Sequence, residues 1–169
     1  FNFSLIITVK KAVDLNELLN KKIFFNVLYS QGARYLNGCV KSVERVVMHS
    51  GFEFNYKLQL TSWFNLLNAH IDCRIFQNKT VLEITSFWFD YFGIKDFDLN
   101  GLTRTYEPIE YCAQYNESVN VFLKRLWASH GLFFFYDFTD VGHRLVLVDS
   151  IQAYRGRNCY FELGRKADY

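Results

Sequence analysis

One nine-residue stretch constrains the fold more than any other part of the sequence. In Phe52-Glu-Phe-Asn-Tyr-Lys-Leu-Gln-Leu60, apolar and polar residues alternate without an error. A period of 2 is typical of a β-strand that is buried on one face and polar on the other. Such a strand favours an antiparallel sheet that covers a core with one face only. Similar patterns predict strands over Phe3–Val9, Ile23–Tyr29 and Tyr35–Met48.

Turn residues separate these strands and place them close together along the chain. Ser30–Ala33 and His49–Gly51 are predicted turns. Asp14-Leu-Asn-Glu17 has a capping-box pattern and predicts one helical turn before the second strand. Residues Trp63–Phe76 are predicted to be extended. The first 76 residues therefore indicate an antiparallel barrel or roll, rich in Phe and Tyr.

The pattern changes to helical spacing after residue 80. Thr80-Val-Leu-Glu83 is a second capping box, and Gly93 is placed to end the helix that it opens. The apolar side of this helix has the spacing i, i+3, i+4, i+7 and consists of Ile84, Phe87, Trp88 and Tyr91.

Ser118 is the predicted cap of a further helix, and Gly131 stands where a C′ glycine would end it. Its apolar stripe consists of Val119, Phe122, Leu123 and Leu126. Strands are predicted over 110–115, 132–138 and 144–148, the last two forming a hairpin, and residues 95–108 are predicted to be a loop.

These patterns together predict a β-rich α+β protein with three parts. Residues 1–76 are expected to form a tube-type antiparallel β-barrel or roll, and residues 77–150 a small α+β subdomain. Residues 151–169 are expected to begin a return segment that the chain does not complete. Because the sequence lacks an initiator Met and begins inside a strand pattern, we expect it to be a fragment of a longer protein.

Composition excludes several classes of protein. The longest apolar run, Leu132–Tyr136, is far below the ~20 residues of a membrane-spanning helix, and no signal peptide is recognisable. A net charge of +2, from 19 basic and 17 acidic residues, argues against nucleic acid as a partner. The charge is nevertheless uneven, at +5 over residues 1–80 and −5 over residues 81–150. This asymmetry indicates two subdomains, a surface that meets its complement on a neighbouring subunit, or ordinary scatter over solvated faces.

No catalytic or metal-binding pattern is apparent. The cysteine spacings match no zinc motif, and Cys39, Cys73 and Cys112 are expected to be buried free thiols. His49 and His143 are predicted at solvated turns, and His130 at a helix C-terminus. We therefore predict no enzyme activity, no cofactor and no metal.

Weak alternatives remain for catalysis and for sugar binding. Glu107 and Glu110 flank Pro108 and are the only candidates for the paired carboxylates of a peptidoglycan hydrolase. A carbohydrate-binding module would expose Trp63, Trp88 or Trp127, although their spacing favours core packing.

Four segments in register resemble the VgrG family, the spike proteins of type VI secretion systems, which are similar to phage tail hubs. They are Arg74–Gln77, Glu110–Ser118, Phe122–Leu126 leading into His130–Tyr136, and His143–Ser150. The residues that carry the resemblance, predicted to be structural, are Arg74, Ile75, Phe76, Gln77, Glu110, Tyr111, Gln114, Tyr115, Glu117, Ser118, Phe122, Arg125, Leu126, Gly131, His143 and Asp149.

The resemblance implies a structural hub of a cell-puncturing spike in a contractile injection apparatus. Its partners would be two further copies in a homotrimer of the full-length protein, the secreted tube protein and baseplate subunits. It would assemble in the bacterial cytoplasm and then be secreted or injected, without stable membrane insertion. A phage or phage-like tail hub or baseplate protein is the alternative within the same class.

The sequence departs from the family pattern on one helix. Val119 follows the capping serine where the family commonly has an acidic residue, and Ala128–His130 replace acidic residues before the closing glycine. We expect these changes to lie on a helix surface and to alter a partner contact.

Overall fold

Three sheets and a layer of helices make up the described fold, with one apolar cluster around the helices and a second one on the four-stranded sheet. The computed structural model describes residues 1–29, 32–46 and 54–155. Predictions for residues 30–31, 47–53 and 156–169 lie outside this part. The described strands are β1 Asn2–Val9, β2 Lys22–Tyr29, β3 Gly32–Val46, β4 Phe54–Thr61, β5 Ile71–Lys79, β6 Phe97–Gly101, β7 Ile109–Ser118, β8 Phe133–Phe138 and β9 His143–Val148. The helices are α1 Leu15–Leu18, α2 Trp63–Leu66, α3 Val81–Tyr91, α4 Val119–Ser129 and α5 Ile151–Arg155, with a 3-10 turn at Leu67–Ala69.

The first sheet has the order β1-β4-β3-β2, is antiparallel throughout and is curled as half of a barrel. This confirms the predicted fold class. Tyr56, Leu58 and Leu60 are buried on one face of β4, as the alternation predicts. Asn55 on the other face is also buried, and its side-chain oxygen accepts a 2.7 Å hydrogen bond from the Thr8 hydroxyl.

The second half pairs β5 with β7 and builds a mixed sheet in the order β6-β9-β8. Thr80 and Glu83 form the predicted capping box at α3, and Ser118 caps α4. Gly93 and Gly131 follow the two helices with φ of +64° and +67°, as expected for a C′ glycine. The core between the sheets and helices contains Phe64 and Trp127, whose rings stack at 5.1 Å.

Two predicted elements are wrong. Residues Trp63–Ala69 are helical rather than extended, because Ser62 caps the turn through the Asn65 N–H group and Trp63 and Phe64 enter the core. The predicted loop 95–108 contains β6, which pairs parallel to β9. Asp14 caps α1 through the Asn16 N–H group, so the predicted helical turn is correct.

Candidate functional site

His143 joins the half-barrel sheet to the α+β part of the chain. Its Nδ1 lies 2.6 Å from the Asn37 side-chain oxygen, and its Nε2 accepts a 3.2 Å hydrogen bond from the Trp63 N–H group. This geometry requires a neutral ring that is protonated on Nδ1. The ring is 4 % exposed, and burial lowers its pKa to about 4. The prediction of a solvated turn histidine is therefore wrong, since residues from three elements enclose the ring.

Asp149 fastens a loop to the end of β9. Its carboxylate accepts hydrogen bonds from the N–H groups of Thr103 and Arg104, from the Thr103 hydroxyl and from the Tyr106 hydroxyl, all within 3.0 Å. Burial of the carboxylate opposes ionisation, but these donors outweigh it and hold the pKa of Asp149 well below its usual range. The Arg104 guanidinium also donates to the carbonyl oxygen of Gly131 at 3.1 Å. Arg104 therefore connects Asp149 to Gly131 at the C-terminal end of α4.

A second group of the predicted residues surrounds the start of α4. Phe76 of β5 stacks on Phe122 of α4 at 5.8 Å with an interplanar angle of 11°. Arg74 lies over the rings of Phe87 and Trp88 and donates to Asp72 at 3.1 Å. These contacts hold α3 and α4 against the β5–β7 sheet.

Arg125 closes the edge of this sheet. It pairs with the Glu117 carboxylate through two nitrogens and donates to the Ala113 carbonyl oxygen at 3.1 Å. The buried Gln114 side chain donates to the Glu117 carbonyl oxygen at 2.9 Å. Because β7 would otherwise present unpaired carbonyl groups, these contacts block strand addition at that point.

The remaining predicted residues do not converge on these groups. Leu126 is a core residue, and Ser118 is both the cap of α4 and a donor to Asn68. Ile75, Gln77, Tyr111 and Tyr115 are exposed on one face of the β5–β7 sheet, whereas Glu110 is exposed on the other face of β7. The sixteen residues thus form separate structural contacts and one exposed sheet face, not a single pocket. Their structural role stays a prediction.

Two further sequence interpretations are wrong. Val119 is fully buried, so its difference from the family pattern changes the core rather than a partner contact. Cys73 is exposed, whereas Cys39 and Cys112 are buried, and burial raises the pKa of both these thiols. Residues Ala128 and Ser129 do lie on the helix surface.

Several structural side chains carry no sequence signal. Asn37, Asn120 and Thr85 are buried polar residues that bind, respectively, His143, the Phe64 carbonyl oxygen and Trp127. Their partners are 42 to 106 residues away in sequence, so no local pattern could have identified them.

The alternatives gain no support from this geometry. Trp63, Trp88 and Trp127 are all buried, contrary to what a carbohydrate-binding module would require. Glu107 and Glu110 are exposed. Among the described residues, no three His, Cys, Asp or Glu side chains are grouped to hold a metal ion. In the same part of the chain, no helix is long and apolar enough to cross a membrane.

Comparison with known protein families shows which family the chain belongs to. Residues 1–163 match the profile of the phage tail baseplate hub (GPD) family. The chain belongs to this family. It is 35% identical over 149 residues to the type VI secretion system spike protein VgrG1a of Pseudomonas aeruginosa and 31% identical over 144 residues to the actin cross-linking toxin VgrG1 of Vibrio cholerae. The predicted resemblance to VgrG proteins is confirmed.

These relatives are much longer than the chain. The matches cover 88% and 85% of this chain but only 23% and 12% of the two relatives. Among solved structures, the E. coli protein c3393 superposes with a TM-score of 0.78 at 22% identity, covering 88% of this chain and 42% of its own. That protein is described as a type VI secretion component similar to the T4 tail proteins gp27 and gp5. A 43 kDa tail protein of prophage MuSo2 from Shewanella oneidensis has a TM-score of 0.54 at 19% identity, covering 87% of this chain and 44% of its own.

Proposed function

We propose that this chain is the hub part of a cell-puncturing spike in a type VI secretion apparatus. In this role it adapts a trimeric spike to the hexameric inner tube, and it has no catalytic activity. The observation that carries the proposal is the open four-stranded sheet of a hub-family chain. Its outer strands, β1 and β2, have no further strand partner among the described residues, so neighbouring domains can continue the curl into a ring.

The proposed partners follow from that role. They are two further copies in the full-length trimer, the secreted tube protein and the baseplate subunits. The hub assembles in the cytoplasm and is then carried out with the spike. Two of the relatives named above support this assignment, since one is a type VI secretion spike protein and the other a component of a type VI secretion system.

Complementation of secretion tests the proposal. The full-length protein is expressed in a bacterium from which its own spike gene has been deleted, and tube protein in the medium is quantified. We expect the wild type to restore secretion. The variant Glu107→Gln/Glu110→Gln removes the candidate carboxylate pair and should restore secretion equally, because both side chains are exposed.

Two results would contradict the proposal. Wild-type protein that is present at normal level without restoring tube secretion would refute the hub role. Loss of secretion in the double variant, together with peptidoglycan cleavage by the wild type alone, would instead favour the hydrolase alternative.

A further inference from the structure

The half-barrel sheet and the α+β part of the chain have separate apolar cores. Tyr56, Leu58 and Leu60 are buried among residues of their own sheet, whereas a second cluster surrounds α3 and α4. Of the described residues in β1–β4, Cys39 alone belongs to the buried part of this second cluster. The chain passes from one part to the other at residues 61–63. Because each part buries an apolar core of its own, either can stay folded when the contacts between them change.

One group of side chains connects the two parts, and we call it the joint. It consists of Asn37 and Cys39 on β3, Tyr136 on β8 and His143 on β9. Asn37 and Cys39 are two residues apart and therefore lie on the same face of β3, where both are buried. His143 Nδ1 lies 2.6 Å from the Asn37 side-chain oxygen, and the rings of His143 and Tyr136 meet edge to face at 5.6 Å. His143 is thus the polar centre of the joint.

The hydrogen bonds of the joint require a neutral imidazole. The Asn37 amide nitrogen donates to the Thr139 carbonyl oxygen at 3.3 Å, so the Asn37 oxygen faces Nδ1 of His143. Nδ1 must then donate, and Nε2 accepts from the Trp63 N–H group, which is a donor only. An imidazolium carries a proton on both nitrogens, so its Nε2–H group would point at the Trp63 N–H group. Protonation therefore replaces an attractive contact between the two parts by a repulsive one.

The surroundings of the ring disfavour its protonated form. Burial is the main cause that lowers the pKa of His143, and the positive charges of Lys22 and of the Phe1 amino group lower it further. Asp96 acts in the opposite direction, but its carboxylate is already paired with Lys22 at 3.3 Å. The Tyr136 hydroxyl is uncharged, because burial raises its pKa to about 12. No member of the joint therefore supplies a counter-charge for a protonated His143.

We propose that protonation of His143 opens the joint and leaves both apolar cores folded. The half-barrel sheet can then change its angle to the α+β part by rotation at residues 61–63, and the Cys39 thiol becomes accessible. Histidine suits such a response because its ordinary pKa lies close to physiological pH. Since the joint lies within one chain, this pH response is separate from the proposed hub role, which stands whether or not the joint opens.

Thiol labelling at pH 7 and pH 5 tests the proposal with cysteines that the chain already has. Dithiodipyridine, which reacts with accessible thiols at both values, is added to the chain, and peptic peptides are quantified by mass spectrometry. Each rate is divided by the rate of the same cysteine in urea-unfolded chain at the same pH. Cys39 reports the joint, the exposed Cys73 reports the reagent, and Cys112 reports the α+β core in which it is buried. Hydrogen exchange of residues 56–60, corrected for the intrinsic rate at each pH, reports the core of the sheet.

We expect the normalised labelling of Cys39 to be about 20-fold faster at pH 5 than at pH 7, because the pKa of His143 is about 4 in the closed joint and about 6.5 when the ring is solvated. The rates of Cys73 and Cys112 and the exchange of residues 56–60 should be nearly the same at both values. Equal acceleration of Cys39 and of either core reporter would overturn the proposal, because a core then unfolds with the joint. A Cys39 rate that does not change with pH would overturn it as well.

His143→Gln and His130→Gln form a matched pair of variants. The glutamine at position 143 stays neutral, so the Cys39 rate of this variant should be nearly independent of pH. His130 lies at the end of α4 and outside the joint, with its Nδ1 2.8 Å from the Leu126 carbonyl oxygen, so His130→Gln should retain the full acceleration. Acceleration in His143→Gln, or its loss in His130→Gln, would overturn the role of His143. The wild-type rates of Cys39 and Cys112 test the proposal even where His143→Gln fails to fold.

Discussion

Replacing Asp149 by asparagine should destabilise the protein strongly, because this carboxylate is the common acceptor of the 103–106 loop. Its side chain has 0% exposure and accepts four hydrogen bonds within 3.0 Å from Thr103, Arg104 and Tyr106 groups. An amide retains one acceptor oxygen and turns a donor toward groups that also donate. Hydrogen bonds to charged groups contribute about 1.5–3 kcal/mol each, so losing two of them should cost about 3–6 kcal/mol.

Urea unfolding followed by tryptophan fluorescence measures this loss as a change in midpoint at constant slope. Asp90→Asn is the control, because Asp90 and its partner Lys95 are both exposed and 3.8 Å apart. It should change the free energy of unfolding by at most about 0.5 kcal/mol. The pH dependence has a defined sign, since the folded pKa of Asp149 is lowered. Its contribution is present above an unfolded pKa of about 3.9 and is lost as the pH falls below that value.

A cost below about 1 kcal/mol at pH 7 for Asp149→Asn, or an equal cost for Asp90→Asn, would contradict the role assigned to this carboxylate. A difference between wild type and Asp149→Asn that stays unchanged as the pH is lowered from about 4 to well below that value would also contradict the assignment, because the stabilisation attributed to the ionised carboxylate must then have another source.

Three further predictions follow from single contacts. The pKa of His143 falls from 6.5 to about 4 on folding, so its contribution to the free energy of unfolding is present above pH 6.5 and decreases by about 3 kcal/mol as the pH falls toward 4. The variant His143→Gln should lack this pH dependence in urea titrations. The same pH dependence in wild type and variant would contradict the prediction. Trp127→Phe removes a 2.8 Å hydrogen bond and should cost about 1 kcal/mol more than Trp88→Phe, whose buried indole N–H has no partner among the described residues; equal costs by chemical denaturation would contradict this. Gly131→Ala should destabilise the protein by about 1 kcal/mol because φ at Gly131 is +67°. Gly142→Ala should be nearly neutral because nothing lies within 4 Å of the added Cβ. Thermal melts in which both substitutions cost the same would contradict this prediction.

The sequence was most informative where the determinants are local. The capping residues Thr80 and Ser118 and the C′ glycines Gly93 and Gly131 identify the helices because a cap needs only its own turn. The alternation before Leu60 fixes which face of β4 is buried for the same reason. The fold class and the positions of α3 and α4 therefore follow from short patterns.

Elements decided by distant partners could not be identified in this way. Strand β6 has five residues and pairs with β9 more than 40 positions later, so its sequence looks like a loop. Trp63 and Phe64 start an apolar run that suits a strand or a helix, and only their burial in the core decides between them. His143 lies beside a hairpin turn in the sequence. Its ring is nevertheless buried, and its Nδ1 contacts the side-chain oxygen of Asn37, which is 106 residues away.

The solution mass of the full-length protein, measured by light scattering beside that of this chain, tests the hub assignment most directly. We expect a trimer for the full-length protein, because a hub must match a trimeric spike to its ring. A trimer of the chain alone would further locate the assembly contacts within these 169 residues. A monomeric full-length protein would contradict the hub assignment and return attention to the binding-module and enzyme alternatives.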